Sequence, residues 1–365
     1  MKLTTDVMKF AIDNMDLFTK FQEYWNHWEY KNNNGKIVYT GELSLDEQEN
    51  EINEDLVEFA LKRAHAEYAI GRPVDEWFFD PQIQFHMFAI VGALVDMILP
   101  QTIVGSIGAY TDVRVGGFGD SFNFDVKSND IFYVTKAGDG KRNSEVHREF
   151  SSQVSILPVA HQLTAGVSLY RVLCGRASLA ELAMKIVRSF ETEISKETYG
   201  VFETAMDAAD ATATTGLLVS GYTQESLVRL CQQVQEWNNG AKPIIMGTQL
   251  ALTNVLPDDA NYRYDLTSKY ATLGYVETAF GFDTMVIRQV ADRTTQFAAN
   301  VINNDRLWII SPSAPKLLKL CLAGRTLSVT DGVMDNADLT QNTTMTKRWG
   351  SGFCSNSVAG VVQLT

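Results

Sequence analysis

Between residues 178 and 207 the chain holds one apolar face. Leu179, Leu182, Ala183, Ile186, Val187, Phe190, Ile194, Val201, Phe202 and Ala205 recur at helical spacing. Ser178 followed by Glu181 opens the run as a capping box, and Gly200 is its one weak point. Unbroken, the helix is about 40 Å long at roughly 1.5 Å per residue. A stripe of that length needs a partner surface along all of it.

The segment before this helix reads as the opposite kind of element. Gly105, Gly108, Gly116, Gly117 and Gly119 punctuate a strand-like region after Pro100. Phe122-Asn123-Phe124-Asp125-Val126 alternates with period two, and Ile131-Phe132-Tyr133-Val134 is a second β-prone run. A polar stretch at 136–143 follows, and then Val146, Arg148, Phe150, Val154 and Ile156 extend a returning strand. The pattern predicts a long two-stranded ribbon over 121–155 with an exposed tip. A two-stranded ribbon alone is marginal in water, so this one is expected to be ordered by lying on another surface, most simply a second copy.

The N-terminal part reads as helical. Val7, Phe10, Ala11, Phe18, Phe21, Trp25 and Trp28 form an aromatic stripe over 5–28, which Asn32-Asn33-Asn34-Gly35 ends. Its polar side carries Asp6, Asp13, Asp16 and Glu23, the wrong charge for anionic lipid. The stripe is expected to dock on a neighbouring surface. Ser44 and Glu47 form a second capping box, with Leu56, Phe59 and Ala60 continuing a face towards Tyr68 until Gly71-Arg72-Pro73.

Beyond the long helix, 208–215 reads as a hinge of small residues. Thr223 caps a helix carrying Leu227, Leu230, Cys231 and Val234, ended by Asn238-Asn239-Gly240. The runs 243–247 and 306–311 read as short buried strands. Residues 274–276 and 282–287 read as strand-like, and 257–265 as a polar loop. Another helix is expected from Thr248, a short one from Pro315, and a β-rich tail after that.

No chemistry emerges from the motifs. Gly138-Asp139-Gly140-Lys141 has Thr135 where a phosphate loop needs Gly and Arg142 where it needs Ser or Thr. Gly116-Gly117-Phe118-Gly119 is not a dinucleotide fingerprint. Ser313-Ala314-Pro315-Lys316 fits Ser-x-x-Lys by spacing alone, and no Gly-x-Ser-x-Gly elbow occurs. His27, His65, His86, His147 and His161 have no metal-binding spacing, and Asp331, Asp335 and Asp338 do not make a calcium loop. Cys174, Cys231, Cys321 and Cys354 read as small buried hydrophobes in a reducing cytosol. No catalytic residue, metal or cofactor is expected.

A net charge of −13 argues against a basic face that grips nucleic acid, though not against a wall that encloses it. The start Met1-Lys2-Leu3-Thr4-Thr5-Asp6 does not read as a signal peptide. The most apolar stretch, 88–99, is too short for a bilayer and contains Asp96.

The order of elements carries a resemblance: helical N-terminal segment, long hairpin, one long helix, inserted α/β section, β-rich return. With Pro158-Val159-Ala160-His161-Gln162-Leu163, Gly274-Tyr275-Val276, Phe280-Gly281-Phe282 and Leu307-Trp308-Ile309-Ile310-Ser311-Pro312, it resembles the Hong Kong 97-like capsid fold of tailed-phage major capsid proteins and encapsulin shells. The resemblance implies an α+β chain. It divides into an N-arm and the start of a peripheral domain (1–100), an extended E-loop hairpin (118–157) and a peripheral domain with a spine helix (158–214). An axial domain (215–301) and a β-rich return (302–365) complete it.

It further implies intersubunit contacts at the E-loop tip through Lys136, Gly138, Asp139, Gly140, Lys141 and Arg142. In the axial loop the candidates are Asp258, Asp259, Tyr262 and Arg263, and in the N-arm Phe10, Phe18, Phe21, Trp25 and Trp28. The partners implied are further copies in hexamers and pentamers, a portal protein, and in some members scaffolding and decoration proteins. The shell would enclose double-stranded DNA without reading its sequence, involve no membrane, and assemble in a host cytoplasm into a virion. No lysine–asparagine crosslink is expected, since the required constellation is not matched. A start at Met1 leads us to expect no large cleaved N-terminal segment. The rivals are an encapsulin-type compartment, a soluble α/β enzyme, and a tail-tube or decoration protein, the last two disfavoured by the long helix.

Overall fold

The computed structural model describes residues 15–32, 41, 43–70, 72–73, 76–77, 80–108, 110–127, 132, 134–136, 138–139, 146–149, 151–174, 176–212, 216–256, 273–291, 300–331, 341–354 and 357–364. In chain order the elements are α1 (Met15–Asn32), α2 (Leu45–Arg63), α3 (Pro81–Ile107), β1 (Thr111–Gly116), β2 (Phe122–Lys127), β3 (Ser151–Ile156), β4 (Val159–Val167) and α4 (Leu169–Leu173). Next come α5 (Leu179–Thr212), β5 (Gly216–Ser220), α6 (Gln224–Trp237), β6 (Ile244–Gly247), α7 (Gln249–Leu252), β7 (Thr278–Ala279) and β8 (Phe282–Val286). The last four are β9 (Arg306–Ile310), β10 (Leu318–Thr330), β11 (Gln341–Phe353) and β12 (Ala359–Gln363).

Two sheets organise the chain. A four-stranded sheet has the order β1-β10-β11-β4, with β1 parallel to β10 and the other pairs antiparallel. Its core face is covered by α1, α2, α3 and the first half of α5. Leu320, Leu322, Met345 and Trp349 of the sheet meet Leu94, Ile98, Val187 and Phe190 of the helices in one cluster. A six-stranded sheet has the order β5-β12-β9-β6-β8-β7. On one face α6 sets Leu227, Leu230, Cys231 and Val234 against Leu307, Ile309 and Val362. On the other, Tyr199, Phe202 and Met206 from the second half of α5 meet Trp308, Ile310 and Val361.

The long helix therefore belongs to both cores. It has 34 residues, about 50 Å at 1.5 Å per residue. Its start is capped twice. Ser178 Oγ accepts the Glu181 amide at 3.0 Å, and Asn53 Oδ1, reaching across from α2, accepts the amides of Leu179 at 3.1 Å and Ala180 at 3.3 Å. Three of the free amides at the helix start are thereby satisfied. The Glu181 carboxylate itself pairs with Lys185.

Some expectations need correction. Residues 208–212 continue α5 rather than forming a hinge; alanine, at 208, 209 and 211, is the best helix former, and it outweighs Asp210 and Thr212. Pro100 does not end a helix, because α3 runs through it to Ile107. A mid-helix proline costs about 3 kcal/mol or more, but α3 is buried nearly all round from Met87 to Pro100, and that burial decides. The stretch read as 88–99 is thus part of a much longer apolar helix. Among the described residues one segment, Pro81–Gly105, is long and apolar enough to cross a membrane, but 72% of its most apolar window is buried inside the protein, as in a core helix. The helix expected from Pro315 is instead the approach to β10, whose Leu318, Leu320 and Leu322 line the core. Residues 274–276 form no strand, while β8 lies where 282–287 was read as one.

A buried ion pair pins α3 to the four-stranded sheet. Lys347 Nζ lies 2.6 Å from Asp96 Oδ1, with both side chains 4% exposed. Asp96 also accepts the Thr326 amide at 2.8 Å and its hydroxyl at 2.6 Å, and Lys347 donates to the Gly324 carbonyl at 2.8 Å. These groups sit where the β10–β11 register shifts between Ala323 and Leu327, and Gly324 there has φ +66°. The bulge turns backbone groups out of the ladder, and the ion pair satisfies two of them.

Candidate functional site

The expected ribbon has a paired base. β2 and β3 are antiparallel, from Phe122 opposite Ile156 to Lys127 opposite Ser151, and they form a sheet of their own. Alternation decides which face is held. Phe122, Phe124 and Ile156 turn inward onto Cys321 and Ala323 of β10, while Asn123, Asp125, Gln153 and Ser155 face out. Gln153 donates to Asp125 across the pair at 2.8 Å. The Arg114 guanidinium lies 4.3 Å from the Phe124 ring centroid and donates to the Asn123 carbonyl at 2.7 Å. Glycines on β11 make room for this base: a Cβ on Gly350 would fall 2.7 Å from the Leu157 carbonyl oxygen, and one on Gly352 2.7 Å from Ile156 Cδ1.

Past the base, Phe132, Val134 and residues 146–149 form no strand, and the rest of the β-prone runs expected at 131–134 and 146–150 lies outside the described residues. Phe132 and His147, one from each leg, have ring centroids 6.0 Å apart. Apolar side chains there face solvent: Val134 is 97% exposed, Val146 82% and Phe132 56%. Leu157 and Val159 continue the exposed apolar surface at the root. Burying a valine side chain is worth roughly 1.5 kcal/mol or more, and this chain's own body does not supply that burial for Val134 or Val146.

The root is fixed to α5 by an aromatic cluster. His161 stacks on Trp349, with centroids 3.7 Å apart and planes 8° apart. Glu197 of α5 lies 2.7 Å from His161 Nε2 and accepts the Trp349 indole N–H at 2.6 Å. Phe190 meets the same Trp349 edge-on. The strand that leaves the ribbon is thereby tied to the helix that spans both cores. Single-residue signals did not mark Glu197 or Trp349; only their positions on facing elements bring them together.

The singled-out residues fall into three groups. At the tip, Lys136, Gly138 and Asp139 are exposed, while Gly140, Lys141 and Arg142 lie outside the described residues. The axial-loop candidates Asp258, Asp259, Tyr262 and Arg263 also lie outside them. For the N-terminal stripe the expectation of docking on a neighbour needs correction. Phe21 is fully buried and Trp25 nearly so, within the same cluster as α2, α3 and α5. Phe18 and Trp28 are half-buried, and Arg188 of α5 stacks over both Trp25 and Trp28. This helix covers its own core, because α3 and α5 leave an apolar groove that needs its aromatics. Phe10 lies outside the described residues.

Among the described residues no three His, Cys, Asp or Glu side chains are placed to hold a metal. Cys231, Cys321 and Cys354 are buried, as expected, and burial pushes the Cys231 thiol up to about 12 and Cys321 to about 11; Cys174, against expectation, is exposed.

No protein-family model and no curated protein matches the chain. Solved structures do resemble it. The capsid of an empty GTA particle shares 12% identity at TM-score 0.49, over 71% of this chain and 89% of that one. The mature capsid of bacteriophage PhiM1 shares 10% at 0.45, over 70% and 86%. The acid-stable capsid of Helicobacter pylori bacteriophage KHP30 shares 10% at 0.44, over 71% and 91%. At that similarity no residue role is transferred from them.

Proposed function

We propose that the chain is the major capsid protein of a tailed double-stranded-DNA phage, and that it builds a closed shell by laying its ribbon on the next copy. The observation that carries this reading is the ribbon itself. Its base is anchored by Phe122, Phe124 and Ile156, while Val134 and Val146 stand in solvent with no surface of their own chain to cover them. A second copy offers the same surface at every position of a ring, and head-to-tail contacts that close by rotation give hexamers and pentamers.

The rest of the molecule suits that task. The α5 helix spans both cores and is tied to the ribbon root through Glu197, so a load on the ribbon reaches both sheets. A net charge of −13 suits a wall that encloses DNA without adhering to it. The tip and the 257–265 loop are the contacts we assign between copies, with portal, scaffolding or decoration proteins as the further partners of such a shell in a virion assembled in the host cytoplasm.

The test is a deletion of residues 137–143. It leaves a soluble subunit with unchanged circular dichroism that forms few closed particles by electron microscopy. Particles in normal yield would overturn the reading. Whether particles from the native source contain DNA or a cargo protein separates a phage head from an encapsulin-type compartment.

A further inference from the structure

A groove of about 690 Å³ lies between α2, α4 and the start of α5. Its floor is apolar, with Leu61, Trp77 and Val172 buried there. Its two long walls are tied together, because Asn53 of α2 caps the start of α5. Its rim is acidic: Glu49, Glu54, Glu58 and Glu181 stand against Arg72 and Arg176. Glu58 is held by Lys62, Glu181 by Lys185 and Arg72 by Glu76. Glu54 is exposed and has no ionic partner among the described residues. The negative charge continues along the wall, since α2 carries seven carboxylates against two cations, Lys62 and Arg63.

The ribbon has the complementary make-up. Val134 and Val146 are apolar side chains that the chain's own body leaves uncovered. Residues 136–148 carry Lys136, Lys141, Arg142 and Arg148 against Asp139 and Glu145, a net charge of +2 in a chain of −13. An acidic wall attracts such a segment and repels most of the remaining surface. An apolar floor inside a charged rim is the usual layout of a protein interface.

The sheet keeps the two surfaces of one copy apart. Along β10, Leu320 and Leu322 face the helices, while the alternate residues Cys321 and Ala323 face the ribbon base. The ribbon thus leaves from the side of the four-stranded sheet opposite α2 and α5. A head-to-tail contact joins two such unlike surfaces from successive copies and closes by rotation.

We infer that this groove is the seat of the next copy's ribbon. Val134 and Val146 cover the floor, and the cations of the tip meet Glu54 and the acidic wall of α2. The inference rests on the ribbon being an arm between copies, and adds where on the receiving copy that arm lands.

One native side chain makes the contact testable. Cys174, the exposed cysteine among the four, sits between the lining residues Leu173 and Arg176. In the tip, a Cβ at Gly138 meets nothing within 4 Å. Particles of Gly138→Cys treated with a short bis-maleimide should give a ladder of linked chains on a denaturing gel. Adding Cys174→Ser should remove the ladder. Normal particles without a ladder overturn the inference, give the groove to a different partner and leave the shell reading standing. A linked single chain of altered mobility, from a ribbon that reaches its own groove, overturns it as well. Wild-type chains that form no particles overturn both. Charge reversal decides the matter if the tip cysteine itself blocks assembly. Glu54→Lys should keep the circular dichroism of the subunit and lose most of the particle yield, and Lys136→Glu added to it should restore particles. An unchanged yield from Glu54→Lys, or no recovery in the double variant, overturns the inference.

Discussion

Asp96 and Lys347 are 251 residues apart in sequence and 2.6 Å apart in the fold. In sequence, Asp96 reads only as a blemish in an apolar stretch, and Lys347 as one more basic residue of a β-rich tail. Neither position could be paired from spacing, since the contact depends on α3 lying across a bulge in β10. Removing one partner leaves an uncompensated buried charge, which costs about 3–5 kcal/mol. Asp96→Ala should therefore lower the urea midpoint of the unassembled subunit strongly. Asp96→Leu combined with Lys347→Met should recover most of the loss, because an apolar pair needs no solvation. A double variant as unstable as the single one would show that the backbone bonds to Thr326 and Gly324 dominate instead.

At the level of elements, those with both a cap and a period were legible. The helices α2, α5 and α6 begin at Ser44, Ser178 and Thr223, where the capping residues stand, and the ribbon base pairs where alternation was strongest. The misreadings come from local signals. Pro100 and the alanine–threonine run after Asp207 read as breaks, and Pro315 as a helix start; burial of α3 overrode the first, the helix propensity of alanine the second, and the pairing of β10 the third. The glycines of β11 were likewise silent in sequence, because their reason is the chain that crosses them. Gly350→Ala would set a Cβ against the Leu157 carbonyl. Overpacking of this kind costs typically 1–3 kcal/mol, and here it should act on the ribbon root. Limited proteolysis should show faster cleavage within 128–150 in the variant, with the four-stranded sheet intact. Unchanged cleavage would mean that the root shifts to accommodate the methyl group.

For the molecule as a whole, the shared helix matters most. The first half of α5 is buried under the four-stranded sheet and the second half under the six-stranded one. Chains of this size often unfold in stages. Here neither sheet keeps its core if the helix melts, so the unassembled subunit should unfold in one calorimetric transition with equal calorimetric and van't Hoff enthalpies. Two resolved endotherms would mean that each half of α5 frays independently. The amphipathic stripe predicted the helix but not its double duty, because periodicity shows that a face is covered and not by how many partners.

The six-stranded sheet also places its latest strand in a demanding position. β12 lies between β5 and β9, parallel to the first and antiparallel to the second. A polypeptide still on the ribosome and not yet translated past residue 359 has a gap there, with β5 severed from the remaining strands. Half-made chains cannot complete this sheet, so translation itself would time when the second core closes.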